Sequence, residues 1–492
     1  MTPQVTVPTV PRFALCRRLP EPGQHGWRRF FYFLFLYMTF EGLLRRSLPL
    51  YNLEILLLKD AALLIFYFYY LLCVKPNLPR WRSSDRLLTF LVILFILVNA
   101  IGLVKAGRYS PIPVILGLKA NFWYVPIFFI GRRYFASYRQ IVTFWRRLVW
   151  LLIPVLCVGV WQVLFGQFTA STVPTGTVDA ASWAAAGSGT LRNNTDGTLI
   201  ATVASTFYGG RFAVFAAIWL VLMTVLCLTD QKRRSLFRMP YLHIALACAL
   251  VSLFISANRT AVGLSLFCMV ALVLSAEGRH AVRFLARVAV VAALIIVLAQ
   301  VYRVSRKSGS LENKFQAFAS FSAGLLDSGS RDVHGSRYSV IGSDLWHGIE
   351  LSLAEVGPFG SGLGRLTQGA VYINADVQTI FDVQQGKEAQ ADSQWVRLVI
   401  ELGIPGLLLY LAIAFVVLWR LIVETLRVRR QSWRDGLVAA LAPTLLFLYL
   451  GLAHKHAGFA VDPMFQCYVF FVTGSALGVA NRAASLKPAG KP

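Results

Sequence analysis

Twelve stretches of this chain are apolar over nearly the length of a bilayer crossing, and few folds are open to a sequence built that way. A helix needs about 20 largely apolar residues to cross ~30 Å of hydrocarbon. The stretches lie at approximately 30–45, 50–74, 87–104, 112–130, 148–166, 199–229, 240–257, 260–276, 284–302, 394–419, 436–453 and 464–481. The pattern predicts an all-α, polytopic membrane protein with about 12 transmembrane helices. Composition agrees: 57% of the 492 residues are hydrophobic and 14% charged, with a mean hydropathy of +0.60.

The formal charge of +25 invites a nucleic-acid partner, but its distribution argues against one. With the N-terminus placed in the cytoplasm, 29 lysines and arginines fall in cytoplasmic segments and 15 on the opposite side. Eight of those 15 lie in one long loop, where the positive-inside rule does not apply. The positive charge therefore reads as a topology signal, with both termini cytoplasmic and no nucleic-acid partner. No small-residue cleavage site precedes Phe30, so residues 1–29 read as a Pro- and Arg-rich cytoplasmic tail. Six of the seven cysteines fall in or beside the apolar stretches and Cys16 lies in the tail, which implies no disulfide framework. Neither zinc-type Cys/His spacing nor a Walker-type glycine loop occurs, so no metal and no nucleotide cofactor is expected.

Five units follow: the tail at 1–29, helices 1–9 within 30–302, a large external loop at 303–393, helices 10–12 within 394–481, and a cytoplasmic tail at 482–492. A smaller external loop at 167–198 is rich in Ala, Ser, Thr and Gly. In the large loop, Ile341, Leu345, Ile349, Leu353 and Val356 recur at three- or four-residue intervals, which predicts one face of an amphipathic helix. Gly357-Pro358 stops that helix, and Phe359-Gly360-Ser361-Gly362-Leu363-Gly364 reads as a tight turn. The loop helix either roofs a cavity or packs on the membrane surface.

Arginines on the external side run against the topology bias. Arg211 follows Ser205-Thr206-Phe207, Arg259 sits in the short turn Ser256-Ala257-Asn258-Arg259-Thr260, and Arg337 opens the loop helix. A guanidinium at membrane depth costs at least a few kcal/mol unless it is paired or faces a wet cavity. Its planar fork suits phosphate oxygens. These arginines either clamp a lipid-linked pyrophosphate or snorkel to the interface. Asp392-Ser393 stands at the mouth of the tenth span. Asp392 is either a helix cap or, partly desolvated, a general base. Glu401 pairs structurally with Arg397 at i,i+4, and Gly403-Ile404-Pro405-Gly406 loosens the helix for an approaching span or lipid chain. His454, beside Lys455 and His456, and His334 in the large loop are further candidates.

In their order these segments resemble the O-antigen ligase/polymerase superfamily, which includes the Wzy-type polysaccharide polymerases and the O-antigen ligases. Ser256-Ala257-Asn258-Arg259-Thr260 resembles that group's Ser-x-Ser-Arg-(Gly/Thr) turn. Arg337 with the later Pro-Phe-Gly-x-Gly-x-Gly run resembles its loop. Asp392-Ser393, nine residues, then Gly403-x-x-Gly406 is similar to the ligase signature His-(Asn/Ser/Gln)-x9-Gly-x-x-Gly. Ser205-Thr206-Phe207 is a weaker likeness. The resemblance covers roughly residues 200–480.

It implies a GT-C-like fold in a bacterial inner membrane, with a periplasmic active site. It also implies metal-independent, inverting glycosyl transfer between two undecaprenyl-pyrophosphate-linked glycans, one donor and one acceptor. On this likeness Asp392, Arg259 and Arg337 are catalytic, while Arg211, Ser393, His334 and His454 bind substrate. Membrane lipids surround the chain, and a polysaccharide chain-length regulator is the usual further partner of such polymerases. Aspartate at 392, where ligases carry histidine, favours a polymerase over a ligase. A transporter is a third reading, opposed by the asymmetric loop and the lack of matched broken spans in two halves.

Overall fold

A computed structural model of the chain describes residues 24–47, 51–73, 83–106, 111–165, 191–193, 199–201, 211–229, 240–255, 259–286, 288–289, 349–350, 352–354, 356–364, 393–455 and 462–485. Its helices are α1 (Gln24–Ser47), α2 (Asn52–Cys73), α3 (Ser83–Ala106), α4 (Pro111–Phe122), α5 (Val125–Tyr134), α6 (Tyr138–Phe165), α7 (Arg211–Leu228), α8 (Pro240–Ile255), α9 (Arg259–Ser275), α10 (Gln394–Arg429), α11 (Trp433–Lys455) and α12 (Pro463–Ser485). A further helical stretch covers 278–286. Two three-residue strands, β1 (Leu191–Asn193) and β2 (Leu199–Ala201), pair antiparallel with Arg192 opposite Ile200.

Among the described residues, four helices are long and apolar enough to cross a membrane, over Arg86–Ala106, Gln394–Arg429, Trp433–His454 and Pro463–Arg482. The outer surface suits lipid. Val104 is 79% exposed, Leu274 77% and Trp419 60%, a display that water would penalise.

Three expected spans come out differently. The stretch 199–229 begins as strand β2, and the helix described within it is Arg211–Leu228. The stretch 112–130 is two helices, because Pro126 lies in the first turn of α5 and has no N–H to continue α4. The tenth helix runs on to Arg429. The ninth stretch, 284–302, lies mostly outside the described residues, as do most of the large loop and both tails.

The bundle is built around α7. It is apolar on every side, and Ala213, Val214, Phe215 and Ile218 have no exposed surface, as a central helix requires. An aromatic cluster joins its neighbours: Phe35 and Phe471 lie on Tyr468, Phe144 or Trp145, and Trp219 of α7 meets both Trp145 and Tyr468. On α12, a Cβ at Gly474 or Gly478 would collide with the carbonyls of Phe128 and Arg132, so small residues four apart let α5 and α12 touch backbone to backbone. At that end Arg28 donates to the Arg133 carbonyl (3.4 Å) and Arg482 to the Arg132 carbonyl (3.2 Å), placing cations on the C-terminal carbonyls of α5.

A span or a lipid chain is expected from the sequence to approach the Gly403–Gly406 break in α10; the turn Pro358–Gly364 lies against it. Gly403 has φ 75° and ψ −174°, a conformation open essentially to glycine. The carbonyls freed by the break are taken up by the turn: Ser361 N–H donates to Ile400 O (2.7 Å) and Gly362 N–H to Glu401 O (3.1 Å). Ile404 N–H donates back to Pro358 O (2.9 Å), and Leu363 N–H donates to Gly102 O of α3 (3.2 Å). The end of the loop helix is therefore pinned between α3 and α10. Gly403→Ala is expected to lower stability by about 1–3 kcal/mol from backbone strain alone, with more from collision against Pro358 O. Gly263→Ala, whose new Cβ meets nothing within 4 Å, serves as the neutral control in a thermal-shift comparison.

Candidate functional site

Antiparallel packing gathers the candidate residues at one end of the bundle. α10 turns into α11 within the three residues 430–432, so the start of α10 and the end of α11 share an end. Trp395 and His454 meet there, with ring centroids 4.6 Å apart. α9 runs antiparallel to α11, because Leu264 lies against Gly451 and Cys268 against the Thr444 carbonyl. Arg259, the first residue of α9, thus belongs to the end that holds Ser393 and His454. α7 packs on both α8 and α9. α8 returns along α7, and three residues separate the end of α8 from the start of α9, so Arg211 opens α7 at this end too.

Ser393 caps α10: its Oγ accepts from Trp395 N–H at 3.3 Å. The capping role weighed for Asp392 is thus filled by its neighbour, which leaves the hydroxyl hydrogen of Ser393 free to donate elsewhere. Asp392, Arg337 and His334 lie outside the described residues.

One turn below the cap is a polar layer that sequence reasoning largely missed. Arg397 is 1% exposed and Glu401 0%, with 4.0 Å between Nη1 and Oε2. Arg397 also donates to Asn121 Oδ1 (2.8 Å), Asn121 Nδ2 to Asn99 Oδ1 (2.9 Å), and Asn99 Nδ2 to Phe95 O (2.7 Å). Each amide is oriented by the next acceptor, so the chain from α3 through α4 holds the α10 guanidinium in one position. On α12, Asp462 caps the helix by accepting from Phe465 N–H (2.9 Å), and Gln466 donates to Ala120 O (3.1 Å).

Deeper in α1 and α2 is a second buried group. Lys59, with no exposed side-chain surface, donates to Glu41 Oε2 at 2.8 Å. The adjacent Asp60 pairs with Lys119 of α4. Lone charged residues inside apolar stretches were the available signal for all of these, since such residues cost several kcal/mol unless paired or functional. The sequence pairing of Arg397 with Glu401 captured one contact of a network that spans three helices.

Chemically, this end combines two helix N-termini that each open on an arginine, a hydroxyl at a third, and an imidazole beside it. The positive ends of α7 and α9 add to the guanidinium charge. That combination suits an anionic, phosphate-bearing ligand beside a hydroxylated one. No protein-family model matches the chain, and no curated protein is similar to it.

Proposed function

We propose that this protein is a Wzy-type polymerase that joins undecaprenyl-pyrophosphate-linked oligosaccharide units into exopolysaccharide, capsule or O-antigen. It would work at the periplasmic face of a bacterial inner membrane, on a GT-C-like fold of twelve spans with both termini in the cytoplasm. The observation that carries the reading is the gathering of Arg211, Arg259, Ser393 and His454 at one end of the bundle. The motif order in the sequence supplies the family.

In this reading an acceptor hydroxyl attacks the anomeric carbon of the donor. The bond from that carbon to the pyrophosphate oxygen breaks, and undecaprenyl pyrophosphate leaves with the electron pair. Arg211, Arg259 and Arg337 offset the charge growing on the leaving group. Asp392, next to the Ser393 cap, accepts the hydroxyl proton. Arg397, buried and paired, positions the start of α10.

One observation favours a ligase: His454 stands beside Trp395 and brings an imidazole to the mouth where ligases carry a histidine. Two measurements separate the readings. Purified protein given lipid-linked oligosaccharide and no nucleotide is expected to make longer chains. A deletion strain is expected to accumulate single repeat units. Long, unattached polymer on its carrier lipid would instead identify a ligase, and unchanged glycans together with an inert purified protein would remove both readings.

A further inference from the structure

A groove of about 290 Å³ runs between α9, α10 and α11, on the half of the bundle away from Ser393. Its walls are apolar, formed by residues such as Leu272, Leu418, Leu426 and Leu437. The hydroxyls of Ser275 and Thr444 turn back to their own helices, onto Ala271 O and Ala440 O (both 2.7 Å), and leave methyl and methylene surface in the groove. Phe267 and Phe447, with ring centroids 5.6 Å apart, mark its inner limit. Gly436 and Arg429 mark the outer one. There a Cβ on Gly436 would lie 2.5 Å from Arg429 Cα, so α10 and α11 close tightly beneath the guanidinium.

Eleven residue steps of α11 separate Gly436 from Phe447, about 16 Å of helix. That is about half of the ~30 Å hydrocarbon core, the depth of a single leaflet. At the outer limit the charge is positive. Arg427 pairs with Glu424 (3.8 Å), whereas Arg429 is exposed and makes no ion pair or side-chain hydrogen bond among the described residues. Arg430 is exposed beside it.

We propose that this groove binds one anionic phospholipid, an acyl chain lying along α11 and the headgroup phosphate on Arg429. Depth, apolar walls and a free guanidinium at headgroup level together fit a phospholipid of the leaflet opposite the Ser393 end. The site is independent of the polymerase reading.

Full-length protein in mild detergent, titrated with phosphatidylglycerol or phosphatidylcholine of equal chain length, tests it by native mass spectrometry. The first lipid bound is expected to be phosphatidylglycerol in preference to phosphatidylcholine. Arg429→Gln is expected to reduce that preference about fivefold while a lipid is still retained. Ala440→Phe, which fills the groove, is expected to remove it. Equal retention of the two lipids by the wild type, or an unchanged preference in Arg429→Gln, overturns the site. So does an unchanged first lipid in folded Ala440→Phe, and preferential retention of a polyprenyl phosphate overturns the phospholipid as occupant. Arg429→Gln leaves the packing intact, so the site stays testable where Ala440→Phe does not fold.

Discussion

Alanine in place of Arg259 is expected to leave the protein folded and inserted while chain lengthening falls about a hundredfold. A donor removed from a site where charge develops costs on the order of 3 kcal/mol of transition-state stabilisation. Contacts elsewhere on α9 hold it to α11, Leu264 against Gly451 and Cys268 on the Thr444 carbonyl. Arg259→Lys keeps the charge but loses the bidentate fork, so it is expected to recover part of the activity. Membrane abundance and the glycan ladder are the two readouts. Polymer of wild-type length in Arg259→Ala, at normal abundance, removes Arg259 from the mechanism. Loss of the protein from the membrane would give it a structural role instead.

Hydropathy located the helices because a long apolar run has few other uses. The run from Leu87 to Val104 is covered by α3, and the run after Trp395 by α10. Breaks were less legible. Pro126 marks the division of α4 from α5, but an apolar window averages over it. The turn at Pro358–Gly364 was readable as a turn, and Gly403 as a helix breaker. That the one fills the other was not, since some forty residues separate them and hydrogen bonds between distant backbones leave no periodicity. The buried charges show the same limit. Lys59 in an apolar stretch announces a partner, but Glu41 is identified only by the pairing of α1 with α2. For the site, residue types, order and a shared side were legible from the topology of the spans, whereas the contact of His454 with Trp395 and the Arg397–Asn121–Asn99 chain came from helix packing.

Lys59→Met is expected to destabilise the protein strongly, by about 3–5 kcal/mol, because it leaves Glu41 charged and buried without its ammonium partner. The pair is short, at 2.8 Å, and Lys59 has no exposed side-chain surface. Asp60 and Lys119 form the adjoining pair, and the three other charges lie within electrostatic reach of Lys59. Removing that cation takes the ammonium from a buried carboxylate among apolar helices, where neither solvent nor lipid replaces it cheaply. Removing both partners has a different consequence. Lys59→Met with Glu41→Met replaces a desolvated ion pair by two apolar side chains of similar length, and such exchanges are often neutral or stabilising. The double variant is thus expected to recover most of the thermal midpoint lost in the single one, as measured on purified protein in detergent. A single variant that melts like the wild type would show that the pair contributes nothing to stability. Glycan length in the recovered double variant then assigns the role of the pair. Normal polymer makes these charges a clasp between α1 and α2, while a stable protein that no longer lengthens chains makes them part of the working site.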